Sequence, residues 1–210
     1  MKNKLLPTLI ACLLSFACFS QNPFAYKGFS GGMMMHSGYL QSNNFNLIDS
    51  KGNILPSVKA KGLPFGLGGL ARVHFGNHLR IGGEGYVSHL TYGEYNSICS
   101  ISWGGILIDF AYPTKHFTPF AGTLIGGGNY QNITHSSLPQ NDFITEENTS
   151  FRQSTFFALC PFVGIDYSLN SKLHLILKAD YLINISNPSD DFTKGVRLFF
   201  GIVFYSIKTE

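Results

Sequence analysis

The chain has 210 residues, enough for one domain with a sizeable core at roughly 100–200 residues per domain. Only 13% are charged, against 44% hydrophobic and 14% aromatic, where a soluble globular protein carries about 25% charged. No run approaches the roughly 20 continuous apolar residues of a membrane helix, so disorder, coiled coil and a helical membrane protein are all disfavoured, while the abundance of Gly, Phe and Tyr suits many extended strands crossing a membrane boundary.

Lys2 and Lys4 precede the apolar stretch Leu5 to Phe19, and small Ser20 stands before Gln21. This is the order of basic region, hydrophobic region and cleavage residue of a secretory signal. The expected division is a signal peptide at 1–20 and a barrel domain at 21–210. Leu9-Ile10-Ala11-Cys12 reads like a lipobox, but cleavage there would leave a very short hydrophobic region. Without Lys2 and Lys4 the chain keeps 13 basic and 12 acidic residues, a balance that implies no nucleic-acid surface. Cys12 and Cys18 leave with the leader. Cys99 and Cys160 fall on non-adjacent predicted strands, so free buried thiols are expected although export permits a disulfide.

Alternation runs through the rest of the chain. From Leu63 to Phe75 the odd positions are Leu63, Phe65, Leu67, Gly69, Ala71, Val73 and Phe75, while Arg72 and His74 occupy even ones; period two means a strand with one apolar face. After Gly76-Asn77-His78 the pattern resumes with Leu79, Ile81 and Val87 on one face and Arg80, Glu84, Tyr86 and Ser88 on the other, a hairpin with a three-residue turn. Further strands are predicted at about residues 27 to 40, 98 to 112, 117 to 130, 155 to 168, 172 to 183 and 195 to 206. The total is eight.

The links alternate in length. Gly76 to His78, Pro113 to His116 and Leu169 to Ser171 are short; Gln41 to Gly62, Gln131 to Ser154 and Asn184 to Lys194 are longer, with only Gly93 to Ser97 compact on that side. Short periplasmic turns opposite longer outer loops are the pattern of an outer-membrane barrel. The predicted fold is therefore all-β: an eight-stranded antiparallel up-and-down transmembrane β-barrel with a side-chain-filled interior.

Parity then assigns the faces. Phe29, Met33, Met35, Val73, Ile81, Val87, Ile106, Ile108, Val163, Ile165, Leu173, Leu175, Leu177, Leu198, Phe200 and Ile202 point outward, and Arg72, Arg80, Glu84, Asp109, Asp166, Lys178, Asp180 and Arg197 point inward as an interior polar network of four cations and four anions. A soluble barrel would reverse these faces. Against it, Phe29, Phe75, Tyr112, Tyr167 and Phe204 gather at one set of strand ends and Tyr39, Tyr130, Phe157 and Tyr181 at the other, two aromatic belts suited to the interfaces of a bilayer. In this reading the inward neighbour of Glu84 is Arg72 or Arg80.

Three segments carry a family likeness: Leu79-Arg80-Ile81-Gly82-Gly83-Glu84-Gly85-Tyr86, Phe117-Thr118-Pro119-Phe120-Ala121-Gly122 and Gly126-Gly127-Gly128. They resemble the small outer-membrane β-barrel family that includes the PorT-like proteins, with OmpA- and OmpX-type barrels as more distant relatives. The resemblance implies a barrel over residues 21 to 210 and transfers no function. The final strand resembles the C-terminal assembly signal of such barrels in part, with Gly201 and Phe204 in place and Ser206 where a second hydrophobic residue is usual.

Motifs for chemistry are sparse. Gly66-Leu67-Gly68-Gly69-Leu70-Ala71 loosely matches a dinucleotide fingerprint but lacks its strand-then-helix context. Gly126-Gly127-Gly128 lacks the Lys and Ser/Thr of a phosphate loop and reads as relief of crowding in a bent strand. His74 and His174 both point inward and could meet, although no metal-like cluster is visible, and no metal, cofactor or catalytic residue is assigned. His135-Ser136-Ser137 resembles part of the His-x-Ser-Asn motif of lipid A deacylase barrels. That likeness would make Ser137 the nucleophile, His135 its base and Glu146 or Glu147 the orienting acid, but Leu138 stands where Asn belongs.

The expected location is the outer membrane of a Gram-negative bacterium. The leading expectation is a non-enzymatic barrel that presents outer loops 41–62 and 131–154 to a partner or ligand. The alternatives are an accessory subunit of an envelope secretion or assembly machine, as PorT-like resemblance implies, and a lipid-modifying enzyme. Expected partners are outer-membrane lipid and lipopolysaccharide, the barrel-assembly machinery during biogenesis, and a protein at the outer loops or periplasmic turns; nucleic acid is not among them.

Overall fold

A computed structural model describes residues 24–48, 52, 54, 57–137, 149–186 and 189–207; the expected leader lies outside them. The strands are β1 (Tyr26–Phe45), β2 (Val58–Gly62), β3 (Phe65–Phe75), β4 (Leu79–Tyr92), β5 (Ser97–Ala111), β6 (Phe117–His135), β7 (Thr149–Ser168), β8 (Leu173–Tyr181), β9 (Ile183–Asn184) and β10 (Lys194–Ile207). Every pairing is antiparallel, in the order β10-β8-β7-β6-β5-β4-β3-β1, and β1 pairs again with β10 from Gly28↔Ile207 to Gln41↔Lys194. Eight long strands thus close on themselves. Short β2 and β9 pair with β1 and β7.

Turns of three, five and four residues join β3–β4, β5–β6 and β7–β8 at one end, where Gly76 supplies the positive φ of 54° that the β3–β4 turn requires. At the other end β6 and β7 run 19 and 20 residues, well past the roughly 9–11 needed to cross a hydrocarbon layer. The links expected there as loops are therefore partly strand. Gln131–His135 pairs with Thr149–Gln153, and Val58–Gly62 pairs with the outer part of β1. The cause is that Asn132 and Thr134 are buried inward-facing polar residues, so alternation continues in side chains whose composition alone reads as loop.

The wall is apolar outside and mixed inside. Met33, Ile106 and Val163 are 72%, 62% and 59% exposed on the exterior, with Leu177, Leu198 and Phe200 around them also exposed, while Met34, Leu107, Leu124 and Ile176 pack within. Tyr130 corrects one expected face: it is buried in the lumen and does not belong to the outer aromatic belt, because unbroken parity from Phe120 and Leu124 through the glycines at 126–128 turns it inward. Gly68 and Gly128 point into the lumen beneath rings. A Cβ at either would collide with Tyr86 or Phe156 at 2.2 and 2.5 Å, so the sequence that loosely matched a nucleotide loop is a seat for aromatic side chains.

Candidate functional site: the filled lumen

All eight inward charges lie buried, and register explains how they meet. Arg80 pairs across the ladder with Asp109, and Arg197 with Asp180, so each of these couples shares one face of two adjacent strands. Toward the short-turn end, Arg72 and Arg80 face Asp109 and Asp166. Arg72 Nη1 donates to Asp109 Oδ2 at 3.3 Å, Arg80 Nε donates to Asp109 Oδ1, and Arg80 Nη1 donates to Asp166 Oδ2 at 2.7 Å. The Tyr205 hydroxyl joins them, donating to Asp166 Oδ2 at 2.6 Å while accepting from both arginines. Phe120 lies under the guanidiniums, 4.7 Å from that of Arg80, a cation–π contact in a desolvated place.

Farther along, Lys178 Nζ donates to both carboxylate oxygens of Glu84 at 2.8 Å and sits 4.4 Å from the centroid of the Phe199 ring. This corrects the expected partner of Glu84. The contact crosses the lumen to β8 instead of reaching a neighbouring arginine, since Arg72 and Arg80 are both engaged by aspartates. Arg197 Nε donates to Asp180 Oδ1 at 2.7 Å and stacks over Trp103 at 4.1 Å, and the Cys160 thiol donates to Asp180 Oδ2 at 3.1 Å. Cys99 and Cys160 are free, buried thiols.

Several lumen residues were not singled out from the sequence. His36 is enclosed by Tyr86, Trp103 and Phe199, with centroids 4.7–5.8 Å away; the parity of β1, which sends Met33 and Met35 out, already turns it inward. Phe192 is different. It belongs to the connection before β10, lies buried in the outer mouth, and packs edge-on against Phe156 at 5.1 Å and beside Tyr130 at 5.5 Å. The Tyr130 hydroxyl donates to the Asp191 carbonyl at 2.6 Å, and Arg152 pairs with the Asp191 carboxylate at 3.0 Å. Part of the expected outer loop Asn184 to Lys194 is thus folded into the mouth. No periodicity marks such a plug.

The motifs with enzymatic overtones separate. His135 ends β6, and its Nδ1 lies 3.3 Å from the Thr149 hydroxyl across the hairpin; Glu146 and Glu147 lie outside the described residues, so no acid is assigned beside it. His74 and His174 flank the Tyr205 ring at 5.2 and 3.9 Å, His74 bonding Ser30 Oγ at 2.8 Å. Among the described residues no group of His, Cys, Asp and Glu is arranged to hold a metal ion. The two histidines line a cavity of about 680 Å³ at the short-turn mouth, along with Arg80, His78 and Ser168.

By sequence, neither a family model nor a curated protein matches the chain. Among solved structures, Neisserial surface protein A is 16% identical over 88% of this chain and 99% of that one, with a TM-score of 0.52. The chain has the fold of a small outer-membrane β-barrel. Ail, the attachment invasion locus protein of Yersinia pestis, is 14% identical over 84% and 99% of the two chains with a TM-score of 0.45. The N-terminal β-barrel domain of Pseudomonas aeruginosa OprF is 8% identical over 87% and 100%, at 0.44.

Proposed function

We propose that this chain is a non-enzymatic barrel of the outer membrane of a Gram-negative bacterium, exported through a cleaved leader. Its closed lumen makes it a rigid post that presents the outer ends of β1–β2 and β6–β7 to a partner or ligand. One observation carries the reading: the wall is apolar outside while Arg72, Arg80, Glu84, Asp109, Asp166, Lys178, Asp180 and Arg197 are all buried and ion-paired within. That is the inverse of a soluble barrel. Loops on such a scaffold vary without disturbing it.

The test has two parts. Ile81→Arg and Leu175→Arg should each weaken folding into lipid by roughly 2–4 kcal/mol if they stand near the midplane, and the wild type in planar bilayers should give no stable stepwise conductance. Toleration of both arginines would return the soluble barrel, and stepwise conductance would move solute passage to the front.

A second reading, an accessory subunit of an envelope secretion or assembly machine as the PorT-like resemblance implies, draws support from the asymmetry of the mouths. The outer one is stoppered by Phe192, whereas the short-turn one opens into the cavity beside His74 and His174. Photo-crosslinking from Asn77 in cells tests it: capture of a periplasmic component selects it, and capture from the β6–β7 hairpin alone rejects it.

A further inference from the structure

Cations on the exterior wall cluster in one sector of its outer end. Paired residues share a face, so the registers place Tyr181, Val196 and Tyr39 in one exterior row across β8, β10 and β1. The next row outward is Lys194, Gln41 and Lys61 across β10, β1 and β2. Lys59 follows beyond a register shift, opposite Asn44. The three lysines are exposed, and none makes an ion pair among the described residues. In the opposite sector the outer rows read Thr91, Ile98, Ile133, Phe151 and His89, Ser100, Gln131, Gln153, without a lysine or arginine. A general need for interfacial cations would spread them around the rim; here they are local.

A groove runs through the cationic sector. Lys59 and Lys194 stand at its outer edge, Tyr39 and Tyr181 beside it, and Val196 and Leu198 on its floor, with no carboxylate among the described residues of its lining. The acids nearest Lys194 along the chain, Asp190 and Asp191, do not line it: Asp190 accepts from the Asn43 amide at 3.0 Å, and Asp191 is buried and paired with Arg152. Below the groove, Leu198 shares a row with Ala179 and with Ser37, whose hydroxyl donates to the Pro64 carbonyl at 2.8 Å, and the next row is apolar throughout, Phe200, Met35 and Leu177.

We infer that this groove seats a phosphate-bearing lipid of the outer leaflet, its phosphate between Lys59 and Lys194 and an acyl chain along Tyr39, Val196 and Leu198. The inference rests on the lipid-facing reading of the wall. Two cations with no carboxylate among the described lining residues select an anionic head, and phosphate offers each ammonium its own oxygen. The floor selects an amphiphile over a free ion, because the occupant must have an apolar part that stays with the hydrocarbon band beneath. Tyrosine at the headgroup level suits its amphipathic ring.

The experiment uses the protein folded into phosphatidylcholine vesicles containing either diphosphoryl lipid A or its dephosphorylated form. Protease protection of the Gly76–His78 turn is scored first and lipid retained after detergent extraction is then counted by native mass spectrometry. One diphosphoryl lipid A per barrel is expected, with the dephosphorylated lipid lost. The double variant K59Q/K194Q should weaken retention about 30-fold, the effect of removing two cations facing an anionic lipid surface, whereas K115Q/K172Q at the other end should leave it unchanged. Equal retention by K59Q/K194Q, or equal retention of the dephosphorylated lipid, would overturn the site while leaving the inserted barrel standing. A chain that never inserts would overturn the wall reading and the site with it.

Discussion

From the short-turn end up to Arg197 the lumen is filled by ions held on strands with neighbours on both sides, whereas beyond Arg197 neutral groups do most of the filling, several of them supplied by a connection. The Asp191 carboxylate there pairs with an arginine that is itself half exposed. Arg72, Arg80, Asp109 and Asp166 belong to the first region; Tyr92, Asn132, Thr134, Tyr130 and Phe192 belong to the second. The difference teaches where each chemistry is tolerable. A charge far from water must meet its partner in fixed geometry, and only the closed ladder supplies that. Near the mouth, neutral hydrogen bonds and ring contacts suffice, because a group that loses its partner is close to solvent.

The comparison breaks or sharpens on how much a single deletion costs in each half. Asp109→Ala strips a partner from two arginines at once and should destabilise the barrel by about 3–5 kcal/mol, the range for orphaning a buried charge, read from urea unfolding in lipid vesicles. Glu84→Ala should fall in the same range by stranding Lys178, and the double variant E84L/K178M should recover most of that loss, since an apolar pair of similar volume often replaces a buried ion pair at little cost. Phe192→Ala should cost about 3 kcal/mol, at the low end for a buried phenylalanine because its connection can relax; solvent exchange at the Tyr130 hydroxyl, measured by NMR, should quicken with it. Tyr92→Phe, which removes a hydroxyl 2.6 Å from Asn132 Oδ1 and from Thr134 Oγ1, should cost only about 1 kcal/mol. Equal losses for Asp109→Ala and Tyr92→Phe would erase the distinction between the halves.

The wall was legible in the sequence because period two is a direct projection of the fold: Ile81 and Val73 outward, Arg80 and Arg72 inward, follow from position alone. The lumen was legible only as a set. Parity brings Glu84 and Lys178 inside, but which ion meets which depends on how far each strand is staggered around the ring, and no local pattern encodes that. Tyr130 was misplaced because a glycine run lacks side chains to carry the phase, and His36 and Trp103 were readable by parity though uncharged and so passed over. Phe192 had no signal of any kind, since a residue on a connection reaches the mouth through the path of the chain.

The seam between β1 and β10 joins residues from nearly opposite ends of the sequence in an unbroken ladder from Gly28↔Ile207 to Gln41↔Lys194. Until β10 is in place, both β1 and β8 are open edges, each a row of unpaired amides able to recruit a foreign strand. The last strand made is therefore the one that removes two aggregation-prone edges together, and a chain arrested before Lys194 would be the most adhesive species on the route to the membrane. The delay itself is inexpensive in entropy, because closing a long loop grows only logarithmically with its length. What the seam demands is protection over time, so the exposure of those two edges, more than the stability of the finished barrel, sets how much help the chain requires during assembly.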